Sequence, residues 1–299
     1  MKDSLFKINT QLPQHISDVP MYRTFHFDTA SAKNKSYADY IAKRVEFLRS
    51  NFKTDGELRD LGDQLIIRND IEALEIYTGS DSFWWTDREN AYSEKKELAE
   101  NLPSEKEAIH NAQKLLEQLQ IDQKTMKVHS VTNSFAAFSE SPKDTDVKEF
   151  PTSVNVNFIH ELSGLPVFGS GAKTQVSYVN KDQLVQLYHF HRTPKQEGKA
   201  AVISPEEALQ QVLDDKRFAI IKEEGKSSGE ITDVSLGYYA TSPSDLQRFL
   251  IPVYKVQGSV STPELENYDF NLFVIAAKES QEMAKRRGLA NQPLETVFN

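Results

Sequence analysis

From Val154 the chain alternates apolar and polar residues. Val154, Val156, Phe158 and Leu162 share one face of an extended strand, while Asn155, Asn157 and Glu161 share the other. Gly164, Pro166, Gly169 and Gly171 interrupt the pattern with the backbone freedom and rigidity of a corner, and a second strand resumes as far as Asn180. This stretch predicts scaffold, and no catalytic motif accompanies it.

Upstream, Met21 to Asp28 predicts a strand. Tyr37, Ile41, Val45, Leu48 and Phe52 recur at the three- and four-residue spacing of an amphipathic helix that opens at Ser36. Short strands follow at Leu65–Arg68, Ala73–Thr78 and Phe83–Trp85. A second helix within Asn101–Gln120 starts at Pro-Ser-Glu and carries Ala108, Ile109, Ala112, Leu115, Leu116 and Leu119 on one stripe. Strands are predicted after it at Met126–Phe138, Thr152–Leu162, Lys173–Tyr178 and Gln183–Arg192, with residues 139–149 as an exposed connection. A third helix opens at Ser204, with Pro205 in its first turn, Glu206 and Glu207 beside it, and Ala208, Leu209, Val212 and Leu213 as its stripe. Strands at Ile231–Ala240, Arg248–Gln257 and Tyr268–Ala277 complete the pattern.

A helix followed by three or four antiparallel strands thus recurs three times, which reads as an internal repeat. The expected fold class is α+β, built as tandem repeats of one helix packed on a curved antiparallel β-sheet. The expected divisions are a flexible lead (1–20), three repeats (21–98, 99–200 and 201–277) and a helical tail (278–299).

Composition narrows the function classes. A net charge of −9 and a pI near 5.4 argue against non-specific binding to a phosphate backbone, and so against nucleic acid as a partner. The compact basic run Lys285, Arg286, Arg287 complements a helix end. With no cysteine there is no disulfide, thiolate nucleophile or Cys-ligated zinc. Residues 1–14 contain no apolar run of the length a signal peptide or membrane span requires. The chain is therefore expected to have no membrane span, and to be either cytoplasmic or downstream of a removed anchor.

Candidate chemistry is sparse. Gly225, Ser227 and Gly229 match G-x-S-x-G, but Lys222, Glu223, Glu224 and Glu230 flank them, which describes a solvated hairpin rather than a nucleophile elbow. The same loop reads GKS with Ile220 where a phosphate loop needs glycine. His189 and His191 lie two apart on a predicted strand and point to one face, a spacing that suits a metal. His160 falls on the Val154/Phe158 apolar face, where a hydrogen-bonded core histidine is the commoner explanation, and Arg192 disfavours a cation. Trp84 and Trp85 face opposite ways on their strand, so one enters the core and the other covers a sheet face or marks a contact surface. Tyr238, Tyr239, Tyr254 and Tyr268 read as packed sheet aromatics. No catalytic residue, metal or cofactor is assigned; the candidate binding residues are Trp84, Trp85, His189 and His191.

The helix opening LPSEKEA, the corner GLPVFGSGAK, the second opening ISPEEAL and the run LGYYATSPSDLQRFLIPVYKVQG together resemble the tandem extracytoplasmic domains of the YycI and YycH regulators of the WalK/WalR two-component system. More broadly they resemble PepSY-like repeats, over residues 71–277. The resemblance implies a non-enzymatic regulatory module that acts through protein or peptide contacts, and it brings no catalytic residues. The alternative is an enzyme or small-molecule binder with a cleft between repeats.

Overall fold

The structure is a computed structural model that describes residues 6–24, 35–91, 100–138, 148–214, 228–262, 268–279 and 296–298. The 154–180 alternation forms strands β8 (Lys148–Leu162) and β10 (Lys173–Val179), with a further short strand, β9 (Leu165–Phe168), inside the Gly/Pro corner. Upstream lie β1 (Phe6–Ile8), β2 (Asp18–Thr24), β3 (Glu57–Asp60), β4 (Gln64–Arg68), β5 (Glu72–Tyr77), β6 (Ser82–Asp87) and β7 (Met126–Phe138). Downstream lie β11 (Gln183–Phe190), β12 (Pro194–Ala201), β13 (Ser228–Tyr239), β14 (Ile251–Ser261), β15 (Tyr268–Ile275) and β16 (Thr296–Phe298). The α-helices among the described residues are α1 (Lys35–Phe52), α2 (Arg88–Ala91), α3 (Glu105–Gln118) and α4 (Pro205–Leu213).

The expected tandem repeats are not what forms. One 14-stranded sheet crosses every predicted boundary in the order β16-β15-β14-β13-β9-β8-β10-β11-β6-β5-β4-β3, with β1 beside β13 and β7 beside β8. The sheet is mixed, since β1 and β9 both run parallel to β13. β11, assigned to the second repeat, pairs with β6 of the first, and β9 pairs with both β8 and β13. Backbone groups at a strand edge need partners, and here strands from outside the supposed unit supply them. β2 and β12 form a separate two-stranded sheet.

Two helix-covered cores lie along the sheet. In one, Val45, Leu48 and Phe52 of α1 and Ala108, Ala112 and Leu116 of α3 pack on Ile67, Leu74, Trp85, Val156, Val176 and Leu187. In the other, Ala208, Leu209 and Val212 of α4 pack with Leu236, Tyr254, Val256, Leu272 and Val274. α3 and α4 start with the same device. Ser104 and Glu107, and likewise Ser204 and Glu207, satisfy each other's backbone N–H groups in capping boxes.

The two halves meet at the corner. Gly169 has φ +92°, and a Cβ there would lie 2.2 Å from the Ala240 carbonyl oxygen, so only glycine lets these backbones approach. Nearby, Arg192 is buried and donates to the carbonyls of Gly79, Ser242 and Asp245. Burial pushes its pKa down to about 10, partly offset by the charge of Asp245. The lead and the tail both join the sheet: Phe6 is buried edge-on against Phe270, and β16 pairs with β15. Residues 280–295 of the tail, most of the 139–149 connection, and Gly225 and Ser227 lie outside the described residues.

Candidate functional site

The β4-β5-β6-β11-β10-β8 part of the sheet has two unlike faces, and strand alternation sends the candidate residues to both. Trp85 enters the core, stacked on Phe52 with centroids 5.0 Å apart, and its indole donates to Thr54 Oγ1 at 3.1 Å. Trp84 is half-buried on the opposite face, where its cross-strand partners are Glu75 and Tyr188.

His189 and His191 project from the core face and meet His160 of β8. His160 and His191 stack with centroids 4.2 Å apart, and His189 lies 5.7 Å from His191 and 6.0 Å from His160. The Thr174 hydroxyl bridges His160 Nε2 (3.2 Å) and His189 Nδ1 (2.8 Å). His160 Nδ1 has no partner among the described residues. If Nε2 of His160 donates to Thr174 and Thr174 donates to His189, the orphan atom is an acceptor, which is cheaper to bury than an N–H. Burial, reinforced by proximity to His191, holds His160 and His189 well below the ordinary histidine value. His191 is pushed down to about 4 by burial, against the opposing charge of Asp122. All three are thus neutral imidazoles at pH 7. Among the described residues, no group of three or more His, Cys, Asp or Glu is arranged to hold a metal ion.

The opposite face carries polar and aromatic rows. One runs from Glu75 through Trp84 and Tyr188 to Gln175 and Asn157. In the next, Phe190 packs edge-on with Tyr77 (5.6 Å) and stacks with Tyr188 (5.2 Å). Burial raises the pKa values of Glu75, Tyr77 and Tyr188, the last two phenols staying protonated. Beside these rows is a groove of about 500 Å³ between β7, β8, β10, β11 and α2, with Ser134, Phe135, Ser153, Asn155, Gln175 and Ser177 in its lining. A wider depression of about 700 Å³ lies at the start of α3. Trp84, Trp85, His189 and His191 line neither.

β7 is the third feature. It is 13 residues long, and among the described residues it pairs only with β8. Its register shifts between Val128 and Ser130 and again between Ser134 and Phe135, leaving Ser130–Ser134 as a regular run. Val128 and Phe135 are exposed.

Sequence reasoning locates this strand but not its free edge, because periodicity carries no information about which strand lies alongside. The groove is half legible: Asn155 and Asn157 fall on a predicted polar face, while Ser177 and Gln175 arrive from a strand whose register only the fold sets.

No protein-family model matches the chain, and no curated protein does. Among solved structures, the chain is similar to an uncharacterized protein from Eubacterium rectale ATCC 33656. The TM-score is 0.51 at 13% identity, covering 91% of this chain and 88% of that one, a likeness of fold alone. No described helix is long and apolar enough to cross a membrane.

Proposed function

We propose that this chain is a non-enzymatic binding module that takes an extended peptide segment of a partner protein along the free edge of β7, in a regulatory role of the YycI/YycH type. The observation that carries this reading is the outer edge of a 13-residue strand, unpaired among the described residues. Alternate residues of such an edge present N–H and C=O groups that an added strand satisfies, as in β-strand addition. Long edges normally carry charges that block pairing, but Lys127 is the one Lys, Arg, Asp or Glu between Met126 and Phe138, and it is ion-paired with Glu161 at 2.6 Å. The two register shifts divide β7 into three regularly paired runs, Met126–Val128, Ser130–Ser134 and Phe135–Phe138, and the central run is the longest continuous edge for an incoming strand. Exposed Val128 and Phe135 flank that run as apolar anchors.

The test selects displayed 12-residue peptides on the immobilised protein and follows amide hydrogen exchange with a selected peptide bound. Slowed exchange within residues 130–134, and loss of binding in whichever of Thr132→Pro and Asn133→Pro keeps the wild-type melting temperature, are the expected results. Protection elsewhere, or unchanged binding in that proline variant, overturns the reading.

A further inference from the structure

Between its two cores the sheet narrows to a neck. β9 pairs with β8 over three residues, Leu165–Val167 against His160–Leu162, and with β13 over two, Val167 and Phe168 against Tyr238 and Tyr239. Pairings this short are weak by themselves, so the junction depends on what packs beside it. A second tie lies alongside. Arg192 joins the carbonyl of Gly79, in the β5–β6 turn, to those of Ser242 and Asp245, and the Ser80 hydroxyl donates to the Pro243 carbonyl at 2.7 Å.

The three histidines are built into both ties. His160 is the β8 residue opposite Val167, whose other neighbour is Tyr238 of β13, so one row of the sheet crosses the neck through this residue. His191 directly precedes Arg192, and its backbone N–H and C=O both bond with the Ser82 hydroxyl beside the β5–β6 turn. The Thr174 bridge links His160 to His189, and ring stacking links His160 to His191.

Protons disturb this arrangement. A protonated His160 carries an N–H at Nδ1, where no described group accepts it. With His189 protonated as well, two N–H groups face the single Thr174 oxygen, and its hydroxyl hydrogen loses its imidazole acceptor. Among the described residues, the charged groups acting on the trio are Arg44 and Asp122. Arg44 adds a like charge near His189 and is itself paired with Asp81, which Tyr40 also bonds. Asp122 opposes burial at His191, but one carboxylate cannot balance three imidazolium rings whose centroids lie 4.2–6.0 Å apart. The residues set against the trio from the other strands, Phe83, Met126, Val167 and Thr174, carry no charge.

We infer that the trio is an acid-operated latch: its neutral rings lock the two halves of the sheet together, and when they take up protons the neck at β9 opens while each half keeps its own core. The latch is closed above about pH 6.5 and is released as pH falls toward 4, because the closed state resists protons that the open one accepts. It does not depend on peptide addition at β7, and it goes beyond a uniform loss of stability, since the neck responds before the cores.

Amide hydrogen exchange of the full chain at pH 7.5 and 4.5, each rate divided by that of an unstructured peptide at the same pH, tests the inference. A proton held off one imidazole is worth about ten-fold per pH unit. Protection of residues 160–168 and 238–241 should therefore fall at least ten-fold further between the two conditions than protection of β4, β5, β14 and β15. His191→Phe keeps a stacked ring that takes no proton. In whichever of His191→Phe and His191→Leu keeps the wild-type melting temperature at pH 7.5, the selective loss should shrink several-fold; if neither does, the wild-type comparison decides. A fall at the neck less than ten-fold beyond that of the cores overturns the inference, as does an unchanged response in the variant.

Discussion

His160 of β8 and His191, the residue after β11, stack with ring centroids 4.2 Å apart and planes 14° from parallel, and β10 lies between those two strands. With His189 they fill the boundary between the two cores: Phe158, two residues before His160, belongs to one and Leu162, two after, to the other. A second positive charge cannot be placed in this stack cheaply, and Arg44 already lies near His189.

Stability should therefore fall with acidity. The unfolded chain protonates histidine near its ordinary value of about 6.5, whereas the folded protein holds His191 at about 4 and the other two also depressed. Above pH 6.5 both states are neutral and the trio contributes no pH dependence. Between about 6.5 and 4 the unfolded state binds more protons, and stability declines by up to about 1.4 kcal/mol per pH unit for each histidine kept neutral. Urea unfolding between pH 7.5 and 4.5 should show this slope, and His191→Asn should reduce it. A flat profile would mean that the trio opens to solvent.

Arg192 supplies the donors for three carbonyls from two separate loops. Arg192→Met should destabilise on the order of 3 kcal/mol, because those acceptors stay buried without donors. Arg192→Lys keeps the charge but not the fork, and should fall between Met and wild type in urea midpoint.

Two glycines of the corner should respond unequally. Gly164 has φ +80° but open space where a methyl group would project, so Gly164→Ala should cost about 1 kcal/mol, for backbone conformation alone. At Gly169 the same change also drives a methyl into the Ala240 carbonyl, and a loss of roughly 3 kcal/mol or more is expected. Equal melting temperatures for the two variants would contradict the close approach of β9 and β13.

Trp85 is a core residue with a satisfied indole. Trp85→Ala should cost about 3–5 kcal/mol by leaving a cavity, while Thr54→Val, which removes the indole's acceptor and the hydroxyl's hydrogen bond with Glu72, should cost about 1–3 kcal/mol. Denaturant titration of both variants distinguishes the packing contribution from the polar one.

Much of the local structure is legible in the sequence. The predicted limits of β7, Met126–Phe138, are those found, because polar residues flank that run in the sequence. The openings at Ser104 and Ser204 are visible because a capping box is completed within four consecutive residues. The short strands β1, β9 and β16 are not foreseen; each has only three or four residues and is stabilised by a distant partner. Parity expects the histidine pair on one face of a strand, whereas β11 ends at Phe190 with His191 just beyond it, and the contact with His160 across β10 depends on the registers of three strands.

Sequence alone determined where the chain turns, which residues of each strand share a face, and how the two capped helices begin, since these follow from side chains within a few positions of one another. Tertiary structure decided that the expected repeats merge into one mixed sheet, that three histidines meet, and that β7 pairs on one side only among the described residues. Those outcomes rest on pairings such as β9 with β13, between residues about seventy positions apart. Every strand edge offers the same backbone donors and acceptors, so periodicity cannot choose among partners, and packing of the whole chain makes the choice.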